Sequence, residues 1–260
     1  MLIDMATHLE ADAELAARIV REAGELARDM LAQGLRAERK TSVSDVVTAA
    51  DHAAERLVLE ILVRERPDDA VVGEEGAARE GSSGRTWVVD PVDGTYNFVH
   101  GLDWWCSALA LRDADDVLVG AVHQPATGST YVGGPGLPSS RDGVPLPRIQ
   151  DRPLAQACLT TYLHPPFFGT EVSAAFERMA NGAATLRMLG SGSMDAMAVA
   201  DGRLHVLCQH SVPAWDELPG AAIVRGAGGR TRRIEASGVG WYVAGAPTAV
   251  DEVCAALLAR

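Results

Sequence analysis

A strand that runs into two closely spaced carboxylates limits the possible folds more than anything else in this chain. Trp87-Val88-Val89 is a short apolar run rich in β-branched residues, the pattern of a buried strand. Asp90 follows, and Pro91, which cannot extend a ladder, is expected to end the strand there. Asp93, Gly94 and Thr95 come next, so two acids three positions apart sit on a tight turn at a strand end. Alone, Asp-Gly is ordinary turn chemistry. Carboxylates hold a hard cation, however, and the amides freed by a Gly-Thr turn hold an anion, so a divalent metal with a phosphate would use both.

Composition narrows the classes. The chain has 260 residues, 47% of them apolar, which suits one large domain or two small ones with a substantial core. No charged-then-apolar leader and no bilayer-length apolar run is present, so the default location is cytoplasmic, with no membrane partner. Cys106, Cys158, Cys208 and Cys254 are widely spaced without a Cys-x-x-Cys pair, which argues against zinc and against a disulfide scaffold. The net charge of −12 disfavours nucleic acid. It also disfavours a phosphate substrate unless bound metal neutralises some of the carboxylates.

The pattern along the chain is mixed. Thr7 to Glu10 reads as a capping box opening a helix with Leu15, Ile19, Ala23, Leu26 and Met30 on its apolar side, stopped near Gly34. Lys40 to Thr48 reads as extended or looped. Thr48 and Asp51 can cap a second helix that Pro67 ends, and Val71-Val72 is a brief strand entering Gly73-Glu74-Glu75. Trp105 to Leu111, Val117 to His123 and Ser129 to Val132 read as successive strands, and Gly133 to Pro147 as loop. Further on, strands are expected at Ala157–Tyr162, Leu186–Leu189, Leu204–Cys208 and Trp241–Val243. Helices are expected at Val172–Met179, Ser193–Val199, Trp215–Arg225 and Val250–Leu258. The irregular alternation favours a layered α+β fold over a simple doubly wound sheet. Four acidic sites adjoin these apolar segments: Asp45 with Asp51, Glu74 with Glu75, Asp90 with Asp93, and Asp216.

Gly73-Glu74-Glu75, Asp90-Pro-Val-Asp-Gly-Thr95 and Trp215-Asp216 before Gly228-Gly229 resemble the inositol monophosphatase family of metal-dependent phosphatases. Lys40 to Asp51, Gly190 to Ser193 and Val199 to Gly202 extend the resemblance in the same order. It implies an αβαβα layered sandwich of the inositol monophosphatase / fructose-1,6-bisphosphatase type. The chain would be a single phosphatase domain over 1–260, with an N-terminal part to about residue 150 and a C-terminal part from about 151, usually a homodimer. It also implies two or three Mg²⁺ ions. Asp90 would bridge two metals, Glu74 and the Val92 carbonyl would hold the first, and Asp93 and Asp216 the second. The implied catalytic residues are Glu74, Thr95 and Asp51, with Thr95 and Asp51 orienting the attacking water; the amides of Gly94 and Thr95 would bind phosphate. An oxygen-only ligand set agrees with Mg²⁺ on chemical grounds, and two metals can clamp an in-line displacement. A covalent aspartyl phosphate is disfavoured, because that chemistry uses Asp-x-Asp and these two acids are three apart.

The substrate is less constrained. Inositol-phosphate members of the family usually carry a Glu seven positions before the Trp-Asp aspartate, and here that position is Gln209. The amide loses the charge and gains two donors, which counts against an ammonium-bearing ester such as histidinol phosphate. Gly192 and Ser193 are expected beside the substrate, with Ser193 able to donate to a hydroxyl. His205 is expected to share a strand face with Gln209; His100, Trp104, Trp105, His164 and Asp195 are weaker candidates. The expected activity is hydrolysis of a small phosphorylated polyol or sugar by metal-activated water. A 3′-phosphonucleotide, fructose 1,6-bisphosphate and histidinol phosphate are alternative substrates, and a non-catalytic regulatory or scaffold role is the alternative class.

Overall fold

The computed structural model describes residues 2–34, 37–39 and 46–259. Asp45 and most of the Lys40–Thr48 stretch lie outside the described residues. The chain opens with α1 (Leu2–Ala32), a short antiparallel pair β1 (Ala37–Arg39) and β2 (Val46–Thr48), and α2 (Ala49–Glu65). Then come β3 (Ala70–Gly73), β4 (Ala78–Arg79), β5 (Thr86–Asp93) and the one-turn helix α3 (Thr95–Val99). A run of strands follows: β6 (Cys106–Arg112), β7 (Val117–Gln124), β8 (Ser129–Gly134), β9 (Leu137–Arg141) and β10 (Val144–Pro145). The rest comprises β11 (Cys158–Thr161), α4 (Glu171–Gly182), β12 (Thr185–Arg187), α5 (Gly192–Ala200), β13 (Val206–His210), α6 (Ala214–Gly226), β14 (Arg230–Ala236), β15 (Val239–Gly245) and α7 (Pro247–Leu258).

Apart from the β1-β2 pair, the described strands build two sheets, ordered β10-β9-β8-β7-β6-β5-β3-β4 and β12-β11-β13-β15-β14. The larger is antiparallel except where β3 runs parallel to β5; in the smaller, β12, β11 and β13 are parallel. Period-2 alternation divides each strand between two layers. On β6, Leu109 and Leu111 face the core of α1 and α2, which also takes Ile19, Leu62, Trp87 and Val89. Cys106 and Ala108 face the opposite way, toward Met194 and Met197 of α5 and Ile223 of α6. The same inter-sheet layer receives Leu207 and Tyr242 from the smaller sheet, whose other face packs Trp241 and Val243 against α4 and α7. The result is the expected αβαβα sandwich. Because Trp87 and Val89 point toward α1 and α2, alternation turns Asp90 into the inter-sheet layer.

Several local expectations change. The first helix starts at Leu2, so Thr7 to Glu10 lies inside it and is no N-terminal cap; no Gly or Pro precedes Thr7 to stop the helical run. Pro91 does not end its strand. β5 continues to Asp93 through a register shift, with Asp90 opposite Ala108 and Asp93 opposite Cys106. The bulge leaves Pro91 without a required ladder donor, and its carbonyl accepts the Ser107 hydroxyl. Gly133 to Pro147 is not a loop but carries the end of β8 with β9 and β10. Its glycines are there for close approach: a Cβ on Gly134 would lie 2.0 Å from the Leu118 carbonyl oxygen, and one on Gly133 would lie 2.1 Å from Ser139 Oγ. β14, rich in arginine, carries no apolar run and was not legible. The Thr48–Asp51 cap is present in full as a reciprocal capping box on α2.

α6 seats against β7 at Gly120, where an added Cβ would lie 2.3 Å from the Pro219 carbonyl oxygen and 2.8 Å from Ala222 Cβ. A Gly120→Ala variant is therefore expected to lose about 1–3 kcal/mol by overpacking. Urea denaturation checks this, and an unchanged midpoint would contradict the close seating of α6.

Candidate active site

The inter-sheet layer opens at one end into a cleft of about 690 Å³. Glu74, Asp93, Gly94, Thr95 and Asp216 line its acidic end. Each comes from a different local device. Glu74 follows β3, where its amide donates to the Val89 carbonyl at 3.1 Å. Asp90 and Asp93 come from the bulged end of β5, and Asp216 from the first turn of α6, where the helix dipole favours a negative charge. Asp90 is buried behind these side chains.

The electrostatics are those of carboxylates crowded without a cation. Burial pushes Asp90 well above the usual carboxylate range, and Glu74, Asp93 and Asp216 raise it further. Burial raises Asp216 as well, with Asp93 and Glu74 adding to the effect and only a hydrogen bond with Asp90 opposing it. Burial also raises Asp93, against donors from Ser193, Ser191 and Gly192 that lower it. The Ser193 amide, in the first turn of α5, lies 2.5 Å from Asp93 Oδ2. Among the described residues, no three acidic, His or Cys side chains are drawn into a finished metal-binding group. The donor set nonetheless fits a hard divalent cation. It is all oxygen, Asp90 and Asp93 are buried, and acidic neighbours raise both Asp90 and Asp216, a repulsion that bound positive charge relieves.

Beside the acids lies the turn expected to hold phosphate. Gly94 takes a left-handed conformation (φ 93°) as the N-cap of α3, and a Cβ there would crowd the Trp104 and Gly190 carbonyls at 3.1 and 3.2 Å. The Thr95 hydroxyl lies 2.9 Å from the Val92 carbonyl oxygen and 3.3 Å from Asp51 Oδ1. Asp51 Oδ2 meanwhile accepts the Thr48 amide at 2.9 Å. Burial raises Asp51, with the Thr48 donors opposing. Tertiary structure thus brings Thr95, Asp51 and the Val92 carbonyl together. The carbonyl already accepts one hydrogen and keeps a second lone pair.

The far end of the cleft differs from expectation. Gly192 and Gln209 line it, and Gln209 Oε1 would lie 3.0 Å from a Cβ on Gly192. Ser193 does not line it: the side chain is fully buried in α5, beneath the cleft surface. His205 is also elsewhere, because β13 begins only at Val206 and the His205 Nδ1 accepts the Cys158 amide at 2.8 Å. His210 and His164 stand in the cleft wall instead, beside Tyr162. Their rings meet edge to face at 5.8 Å, and burial pushes both below the usual histidine range, leaving them neutral at pH 7. Asp195 faces inward, accepting from Thr160 Oγ1 and Trp104 Nε1, and burial pushes it up to about 7. Trp105 is core, and His100, which does not line the cleft, stacks on Tyr96, which does. Asn97 was not singled out, although its Nδ2 donates to both the Trp104 and Leu189 carbonyls at 2.8 Å, clamping α3 to the loop before α5. Its place two residues after Thr95 was the available signal.

The sequence profile of the inositol monophosphatase family matches residues 8–258. The chain belongs to that family. A Thermotoga maritima relative named fructose-1,6-bisphosphatase/inositol-1-monophosphatase is 33% identical over 193 residues, covering 74% of this chain and 73% of its own. A Pasteurella multocida relative named Nus factor SuhB is 34% identical over 193 residues, covering 72% of each chain. Among solved structures, the Thermotoga maritima IMPase superposes with a TM-score of 0.82 at 28% identity, covering 94% of this chain and 95% of that one. The inositol monophosphatase fold and the layered architecture above therefore coincide.

The raised carboxylates give a testable sign. The folded chain retains protons that the unfolded chain releases near pH 4, so Asp90 weakens the fold as pH rises through its elevated folded pKa. Buried neutral histidines act in the opposite direction, so the comparison needs a variant. In EDTA, Asp90→Asn is expected to be more stable than the wild type at pH 8, with the advantage shrinking toward pH 5. Thermal unfolding at the two pH values checks this; a variant less stable at pH 8 would refute the repulsion.

Proposed function

We propose that this phosphoric monoester hydrolase is Mg²⁺-dependent and cleaves a small phosphorylated polyol or sugar. The observation that carries the reading is the convergence of Glu74, Asp90, Asp93 and Asp216 beside the Gly94–Thr95 turn on the floor of one cleft. Glu74, Asp90, the Val92 carbonyl, Asp93 and Asp216 would hold two or three ions. Bound there, Mg²⁺ would polarise the attacking water and offset the charge of the phosphoryl group and leaving oxygen. The Thr95 hydroxyl, held between Val92 and Asp51, orients the water together with Asp51. The Gly94 and Thr95 amides receive phosphate oxygens at the start of α3. Glu74, open to the cleft, serves as the remaining catalytic carboxylate.

Beyond the phosphate, the cleft wall supplies Gln209, His164 and His210, neutral groups suited to hydroxyls. No carboxylate lines that end among the described residues, which supports a polyol or sugar over an ammonium-bearing ester. The name of the Thermotoga relative keeps fructose 1,6-bisphosphate among the candidates. A regulatory reading rests on the name of the Pasteurella relative, and the intact carboxylate set favours catalysis over it. We assign the protein to the cytoplasm as one domain that forms a homodimer; no described helix is long and apolar enough to cross a membrane.

Phosphate release from a panel of inositol, sugar, nucleotide and histidinol esters, with Mg²⁺ and with EDTA, tests the reading. Magnesium-dependent release from a polyol or sugar ester is expected. Asp90→Asn should lower it by several orders of magnitude, roughly the loss of a charged ligand worth a few kcal/mol. Near-wild-type turnover in that variant, or release indifferent to EDTA, would overturn the metal assignment. Light scattering tests the dimer, and a mass of 27.4 kDa, that of one chain, would refute it.

A further inference from the structure

A second, smaller cavity of about 140 Å³ lies where the segment 147–152 passes from the larger sheet to the smaller one. Its walls come from that segment and from the C-terminal end of α5 through His205, and none of its residues lines the cleft. α5 therefore touches Asp93 with its first turn and this cavity with its last.

Two arginines line this cavity, the exposed Arg148 and the half-buried Arg152, and no acidic residue does. Among the described residues, neither Arg148 nor Arg152 pairs with a carboxylate, and neither side chain donates to a carbonyl. Among the described residues Arg178 and Arg187 also lack a carboxylate but donate to carbonyls, and the exposed Arg21, Arg56 and Arg112 have neither partner. Arg66, Arg85, Arg203, Arg225, Arg230 and Arg233 all have carboxylate partners. The Arg152 Nε is buried with no hydrogen-bond partner, a position that is costly for a charged donor. Arg148 lies against Gly228, where a Cβ would come within 2.7 Å of its guanidinium, so the glycine makes room for it. His205 completes the polar wall. Its Nδ1 accepts the Cys158 amide, so the neutral ring carries its proton on Nε2 as a further donor. Opposite these donors stand Ile149, Val199 and Leu204, which are apolar.

An anion in the cavity would satisfy the buried Arg152 donor. A bare phosphate would leave the apolar wall unused, whereas a carboxylate with a short hydrocarbon body uses both. We propose that this cavity binds a small organic carboxylate, with its headgroup between Arg148 and Arg152 and its apolar body against Ile149, Val199 and Leu204. The site is independent of the catalytic reading, and its test needs no turnover.

The test follows the His205 ring signals of the full chain by ¹H–¹³C NMR, in EDTA so that the acidic cleft repels anions. Acetate, butyrate and inorganic phosphate are titrated separately. Butyrate is expected to move His205 saturably and to bind roughly tenfold more tightly than acetate, the gain for two buried methylenes. Arg148→Gln and Arg152→Gln should each weaken butyrate roughly tenfold or more, with the other histidine signals unmoved as the check on folding. The comparison of acetate with butyrate needs no variant. Linear drift in the wild type, indifference to chain length, or an unchanged midpoint in the double variant would overturn the site. Phosphate saturating more tightly than butyrate would overturn the carboxylate assignment.

Discussion

Like-charge repulsion among Glu74, Asp90, Asp93 and Asp216 is the constraint on which the rest of the arrangement depends. Burial raises the proton affinity of Asp90, Asp93 and Asp216, and acidic neighbours raise Asp90 and Asp216 further. Independent elements hold them in place. The strand register anchors Asp90 and Asp93 opposite Ala108 and Cys106, and the α5 amides face Asp93. α6, seated on β7 at Gly120, fixes the start of the helix that carries Asp216. The scaffold thus holds acids together that water would separate, which is how a preorganised cation site is made.

Elsewhere the molecule treats charge in the ordinary way. Asp12 is buried but paired with Arg66 and Arg85, and Asp69 accepts from Arg85, Ser83 and the Trp87 indole. Burial opposes the ionised Asp69, yet these donors win and hold its pKa below the usual range. The contrast with Asp90, where burial and three acidic neighbours outweigh the one amide donor from Val92, marks it as a candidate functional carboxylate. Arg152, whose Nε is buried without a partner, is a departure of the opposite sign.

Much of this was legible along the chain. The strands expected at Trp105–Leu111 and Val117–His123, the Thr48–Asp51 cap and the helices around Val172, Trp215 and Val250 all formed within a few residues of expectation. The failures share a cause. Pro91, Gly133 and Gly134 were read from local preference, yet a bulge and two close strand contacts made them acceptable in a ladder. Local preference is a weak prior where partner strands decide the backbone.

By itself the sequence determined the chemistry of the site. An oxygen-only set of acids, a Gly-Thr turn after the second aspartate, and a Gln seven positions before Asp216 are facts of covalent order. Tertiary structure alone decided which side chains meet. Whether Ser193 reaches the cleft depends on how α5 is rotated, and the packing of Met194 and Met197 buries it. His210 rather than His205 stands in the cleft wall because β13 starts at Val206 and ends at the cleft. Helix rotation and strand limits are set by contacts between residues far apart in the chain, and no local window contains them.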